Sequence, residues 1–277
     1  MATDDYQKSL ERHLADYKEQ RLGVREKGTF VHRGVERQYR HILPTSLKWL
    51  NIPEPFRQEV QEYLAGHRDI KLHKYFHHLN SSQAFALALF VPYLTQAPEA
   101  LMRAMRGSET EQWELERVPD SKEGTNVDAW WRSAGGETYC EVKLSEREFG
   151  PATDDARHRR KLDSIYGPAL RGQVDDVLLE PEAFFENYQI LRNLWLAARA
   201  GHEQDRVVFL LPQANARLAA QLQEVLTQVK RPLRSRVSVV YTESLLERLR
   251  KDTASGLAWY AWWLQEKYVP GSERARK

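Results

Sequence analysis

The stretch NVDAWWRSAGGETYCEVKLSE, residues 126–146, decides the architecture. Its two halves, NVDAWWRS over 126–133 and TYCEVKLS over 138–145, are short, rich in aromatic and apolar residues, and bounded by turn residues, which is how strands read. Between them Ala134-Gly135-Gly136 predicts a hairpin turn, because glycine supplies the positive φ that such turns require. The two strands are therefore expected to pair antiparallel. Side chains two apart on a strand share a face, so Glu141 and Lys143 project together while Cys140 and Val142 point the other way. An antiparallel neighbour can set Asp128 opposite them, so that two carboxylates and one ammonium converge on one patch.

Hard oxygen ligands of this kind suit Mg²⁺, which prefers a couple of carboxylates with waters and phosphate oxygens. Phosphodiester hydrolysis is the matching chemistry. The ion polarises the phosphate and acidifies a water, while the lysine orients that water or neutralises charge developing in the transition state. A Glu/Lys pair on an exposed strand is ordinarily a solvated ion pair. Here the charges stand within VDAWW and TYCEV, strands apolar enough to be buried, where ionisable groups need a partner or a metal.

Outward from this hairpin, WELERVP (113–119) alternates and adds a preceding strand. RVVFLLP (206–212) is a continuous apolar run suited to a strand buried on both faces, and VSVVY (237–241) is another strand. Helical spacing marks residues 3–19, where Tyr6, Leu10, Leu14 and Tyr17 recur, and FRQEVQEYL. It also marks FFENYQILRNLWLAARA, closed by Gly201 as C′, then ARLAAQLQEVLTQV, SLLERLRK and the Trp-rich LAWYAWWLQEKYV. Asn80-Ser81-Ser82 are good N-cap residues for a buried helix expected to end near Pro92, with Gln83 in its first turn. The order predicts an α/β protein with a mixed central sheet flanked by helices, a helical and basic N-terminal extension over 1–75, and a core over 76–277.

The combination of Ser81-Ser82-Gln83, Asp128, Glu141-Val142-Lys143 and Tyr188-Gln189, in that order, resembles the PD-(D/E)XK, or restriction-endonuclease-like, superfamily, and within it a bacterial branch of nuclease-like proteins. The resemblance runs from about residue 28 to residue 212. It implies that Asp128 and Glu141 bind Mg²⁺, with Mn²⁺ as a substitute, together with the main-chain carbonyl of Val142, and that Lys143 is catalytic. It also implies that Gln83 and Gln189 join the catalytic set. Gln83 stands where many relatives carry a Glu, which favours one well-held ion over two, and Val127 replaces the proline that names the motif.

Composition narrows the partners. With 277 residues, 42% hydrophobic and 29% charged, the chain is expected to fold around a sizeable core, and its formal +2 gives no general attraction to nucleic acid or membrane. Any basic surface must be local. Between Arg21 and His41 six basic residues stand against Glu26 and Glu36, so Arg33, Arg37 and Arg40 are candidate phosphate contacts, with Tyr188 a further candidate contact to nucleic acid. Arg157, Arg159, Arg160 and Lys161 form another basic cluster, and Lys230, Arg231, Arg234 and Arg236 a third. A single cysteine, Cys140, excludes internal disulfides and multi-cysteine zinc sites, and with no basic, apolar leader in MATDDYQKSLERHL the expected compartment is the cytoplasm. The apolar window AFALALFVPYL falls short of the roughly 20 residues of a membrane span. His73 and His77 have zinc-binding spacing but no HExxH glutamate, and neither a G-x-S-x-G elbow nor a GxxxxGK[ST] loop is present. DNA is the expected substrate, with RNA the weaker choice, and the resemblance allows a homodimer. The competing reading is a catalytically inactive DNA-binding or protein-interaction module on the same fold.

Overall fold

The computed structural model describes residues 3–32 and 34–272. The chain forms two compact units, Met1–Gly107 with Thr242–Lys277, and Ser108–Tyr241. This division differs from a boundary near residue 75. The reason is helix packing: Ser82–Gln96 lies against Glu54–Gly66, and Pro98–Met105 against Thr242–Lys251, so both ends of the chain share one core.

In the first unit, helix Thr3–Arg21 buries Tyr6, Leu10, Leu14 and Tyr17, the residues its periodicity picks out. The basic segment becomes a hairpin of strands β1 (Gly28–His32) and β2 (Val35–Tyr39). Ser81 caps helix Ser82–Gln96 by accepting the Ala84 N–H at 3.3 Å. That helix runs through Pro92 instead of stopping there. A proline inside a helix withholds a donor from the carbonyl four residues back, here that of Ala88. The Tyr260 hydroxyl donates to this oxygen, and the completely buried flanks, Phe90 and Tyr93 among them, hold the helix in place.

The second unit is a five-stranded sheet in the order β3 (Gln112–Arg117), β4 (Val127–Ser133), β5 (Gly136–Val142), β6 (Arg206–Leu211) and β7 (Val237–Tyr241). The β3–β4–β5 pairs are antiparallel and β5–β6–β7 parallel, so the sheet is mixed as expected. The β4–β5 turn closes with Ser133 opposite Gly136, whose φ of 122° and close approach to the Gln204 carbonyl admit only glycine. Strand β6 is buried along Val207–Leu211 between two parallel neighbours. Trp130, Tyr139, Phe149, Phe184, Leu194 and Phe209 belong to the core around it. A fully buried aromatic or aliphatic side chain stabilises by about 1.5–3 kcal/mol, so this core fixes the sheet that carries the charged residues.

The helix expected over FFENYQILRNLWLAARA is two helices, Pro181–Glu186 and Tyr188–Ala198, broken at Asn187. The break has a cause: the Gln189 N–H donates to the Gly150 carbonyl at 3.2 Å instead of continuing the preceding helix. The second helix ends at Ala198 with Arg199 as its C-cap, and Gly201, at φ 81°, serves the turn beyond. Among the described residues no helix is long and apolar enough to cross a membrane.

Candidate active site

Asp128, Glu141 and Lys143 meet at the ends of β4 and β5. The register Ala129 opposite Cys140 brings Asp128 beside the end of β5, where its Oδ2 accepts the Val142 N–H at 2.6 Å. Lys143 follows β5, its N–H donating to the Leu210 carbonyl at 2.8 Å, which extends the parallel pairing by one residue and fixes the direction of its side chain. The Lys143 ammonium lies 3.0 Å from Glu141 Oε1. Cys140 is a buried free thiol within the same strand.

Glu141 is 2% exposed and accepts four hydrogen bonds. Oε1 takes Lys143 Nζ and Gln189 Nε2, the latter at 2.5 Å; Oε2 takes Arg192 NH2 at 3.0 Å and Asn193 Nδ2 at 2.9 Å. Gln189, Arg192 and Asn193 come from the Tyr188–Ala198 helix, at spacings of three and four that place them on one face. Gln189 also holds the chain after β5, its Oε1 accepting the Gly150 N–H at 2.8 Å. Arg192 and Asn193 are functional-looking residues that sequence reading missed. Their signal was present: three polar side chains on one face of the otherwise apolar IL-RN-LWL helix.

Electrostatics separate the two acids. Burial pushes the Asp128 carboxyl well above the usual carboxylate range, and the charges of Glu141 and Glu116 push it further, against the pull of Lys143. Burial also opposes ionised Glu141, but Lys143 and Arg192 outweigh it and hold this carboxyl below its ordinary value. The Lys143 ammonium, disfavoured by burial, is kept protonated by Glu141, Glu146 and Asp128, which raise it. Across the sheet from Asp128, Glu116 has a φ of 53°, costly for a residue with a Cβ, and its carboxylate is held by the Asn126 amide.

A second buried acid, Glu123, lies in the same unit. Its Oε1 accepts from the Tyr166 hydroxyl at 2.6 Å, Thr125 Oγ1 at 2.7 Å and Lys161 Nζ at 3.3 Å, and Oε2 takes the Thr125 N–H at 2.8 Å. Tyr188 Oη stands 2.7 Å from the Tyr166 hydroxyl. Tyr188 is thus turned towards Glu123 while its neighbour Gln189 binds Glu141.

Gln83 and Arg40 have local partners. Gln83 belongs to the first unit, where its Oε1 accepts the His73 N–H at 2.7 Å and its Nε2 donates to the Lys71 carbonyl at 3.1 Å. Arg37 is exposed on β2, Arg40 pairs with Asp16 at 3.3 Å and Glu19 at 3.2 Å, and Arg33 lies outside the described residues. In the third basic cluster Arg236 donates to the carbonyls of Ala197 and His202. Arg159 makes a two-bond pair with Asp154. Trp130 and Trp131 are core residues. Burial drives His78 down to about 3 and His41 to about 4, so both are neutral imidazoles near pH 7.

The donor set fits a hard divalent ion at one place. Asp128 keeps Oδ1 without a hydrogen-bond donor among the described residues, and its charge, only partly offset by Lys143, stands beside the buried Glu141 carboxylate. Among the described residues no group of three or more His, Cys, Asp or Glu could hold a metal. The protein's share would be Asp128, Glu141 and a main-chain oxygen such as that of Val142, the sparse set that suits Mg²⁺.

Over residues 11–269 the chain matches the family model described as restriction endonuclease associating with ARP, and it belongs to that family. No curated protein and no solved structure matches it.

Proposed function

We propose that this member of a restriction-endonuclease family is a metal-dependent nuclease that hydrolyses DNA phosphodiester bonds at Asp128, Glu141 and Lys143. The observation that carries the reading is the convergence of the half-buried Asp128, the buried Glu141 and the buried Lys143 ammonium at the ends of β4 and β5, with Lys143 Nζ 3.0 Å from Glu141. Ionisable groups seldom occupy such a position without a task. Asp128, Glu141 and the Val142 carbonyl would hold Mg²⁺ or Mn²⁺. When bound, that ion supplies Lewis acidity towards the phosphate and acidifies a water.

Lys143 has a narrower role than spacing alone suggests. Because its neighbours hold the ammonium protonated, it acts as a fixed cation beside the phosphate and not as a base. Gln189 positions Glu141 while its other end pins Gly150, so it sets the carboxylate's direction. The family's description adds an association with ARP, which the same reading carries over to this chain.

One observation favours a second reading. All four acceptor positions of Glu141 are taken, two of them by cations, as in a structural ion network. A module that binds DNA or a protein without cutting would have this appearance. Plasmid digestion with and without Mg²⁺ separates the two. Mg²⁺-stimulated cleavage lost in Glu141→Gln, with the fold intact by circular dichroism, supports the nuclease; salt-sensitive DNA retention without cleavage by the natural protein supports the module.

A further inference from the structure

The neighbours of Glu141 leave an imbalance that an incoming divalent ion must resolve. Asp128 and Glu141 are already matched by two cations, Lys143 and Arg192, and no acceptor position on Glu141 is vacant. An ion that takes Glu141 would add two positive charges to a buried site unless a resident cation withdraws. Like charges brought together at low dielectric are costly, and a carboxylate oxygen cannot serve three partners in good geometry.

Which cation withdraws follows from how each is held. Lys143 is tethered to the parallel ladder at its own backbone and is drawn by three acids, Glu141, Glu146 and Asp128. Arg192 reaches Glu141 from a facing helix through Nη2 alone, and its Nε is buried with no hydrogen-bond partner among the described residues. A guanidinium paired with a carboxylate commonly uses its fork, as the exposed Arg159 does with Asp154 through Nε at 2.6 Å and Nη2 at 2.7 Å. Arg192 is 7% exposed yet half-used.

On the reading of the site as a metal centre, we infer that Arg192 is a resident counter-ion that competes with the divalent ion for Glu141 and so sets the affinity of the site. It neutralises the carboxylate when no metal is present and gives it up when metal arrives. Arg192 is thus a positioning residue for Glu141.

The test is Mn²⁺ affinity, measured by paramagnetic resonance or calorimetry on the whole chain without DNA. Arg192→Gln keeps a donor for Glu141 and removes the charge; it is expected to bind Mn²⁺ about tenfold tighter or more, whereas Arg192→Lys stays near the natural protein. The thermal midpoint of Arg192→Gln should start lower and rise further on adding Mg²⁺. Equal or weaker Mn²⁺ affinity in Arg192→Gln overturns the inference while leaving the metal site standing. If Mn²⁺ binding by the natural protein is absent, or is unchanged in Glu141→Gln, the metal site itself fails and the inference with it. A measurement that needs no Arg192 variant is the Arg192 Nε–H resonance of the natural protein: it should shift as Mg²⁺ is added, and an unmoved resonance at saturating metal contradicts displacement.

Discussion

Glu141 and Glu123 lie in the same unit, exposed by 2% and 4%, and each is held below the ordinary carboxylate range, but their surroundings differ in kind. Around Glu123 the donors are mostly neutral: three hydroxyls and a backbone N–H, with Lys161 as the single cation among the described residues. Around Glu141 there are two cations and, beside it, a second acid whose own charge is poorly compensated. The first arrangement closes on itself and needs nothing more. The second is matched in total charge yet strained in its parts, since Asp128 is pushed towards its neutral form while Arg192 is incompletely bonded. A buried acid with its own hydroxyl partners is a structural pin; on the proposed reading, the pair of acids sharing lysine and arginine is where another cation would enter.

The contrast can be broken by removing one group from each side. Lys143→Ala should reduce Mg²⁺-dependent cleavage by about a thousandfold, with Mn²⁺ affinity retained, because a fixed cation at the phosphate acts in the transition state. Single-turnover cleavage alongside a metal titration checks the split; a loss of metal binding equal to the loss of rate would place the lysine in the metal's support instead. Glu123→Gln should leave cleavage per folded molecule unchanged and cost about 3 kcal/mol of stability, the usual scale for breaking a buried ion pair, read by urea denaturation.

The smallest effect has the opposite sign. Asp128→Asn should stabilise the metal-free protein by about 1 kcal/mol at neutral pH, because it removes a repulsion while an amide oxygen can still accept the Val142 N–H. The pH dependence follows from the direction of the shift. The folded-state pKa of Asp128 is raised, so the stability its protonated form contributes is complete below its ordinary value of 3.8 and is lost as pH rises through the folded value. The advantage of Asp128→Asn should therefore shrink as pH falls towards 3.8, and denaturation curves across pH measure it.

Much of this site was legible in the sequence because it depends on local rules. The period of a strand places Glu141 and Lys143 on one face, and the glycine turn brings β4 back along β5, which together bring Asp128 to the same end. The continuous apolar run of β6 also announced a strand buried on both sides. What escaped depends on packing between distant segments. Arg192 and Asn193 reach Glu141 across 51 and 52 residues of chain, and although their polarity on an apolar helix is visible locally, the acid they serve is not. Glu123 drew no reading from the sequence because its partner Tyr166 lies 43 residues later. Pro92 misled for the same reason, since the partner that relieves its missing donor is Tyr260, in a helix 172 residues after the carbonyl it caps.

The most direct test is a crystal of the protein soaked in Mn²⁺ and measured at the manganese absorption edge. A single anomalous peak within coordination distance of Asp128 and Glu141, absent from crystals of Glu141→Gln, is the predicted result. Crystals that cleave DNA in the same Mn²⁺ solution yet show no peak between those two carboxylates, or show it elsewhere, would contradict the assignment of the metal and the chemistry to this site.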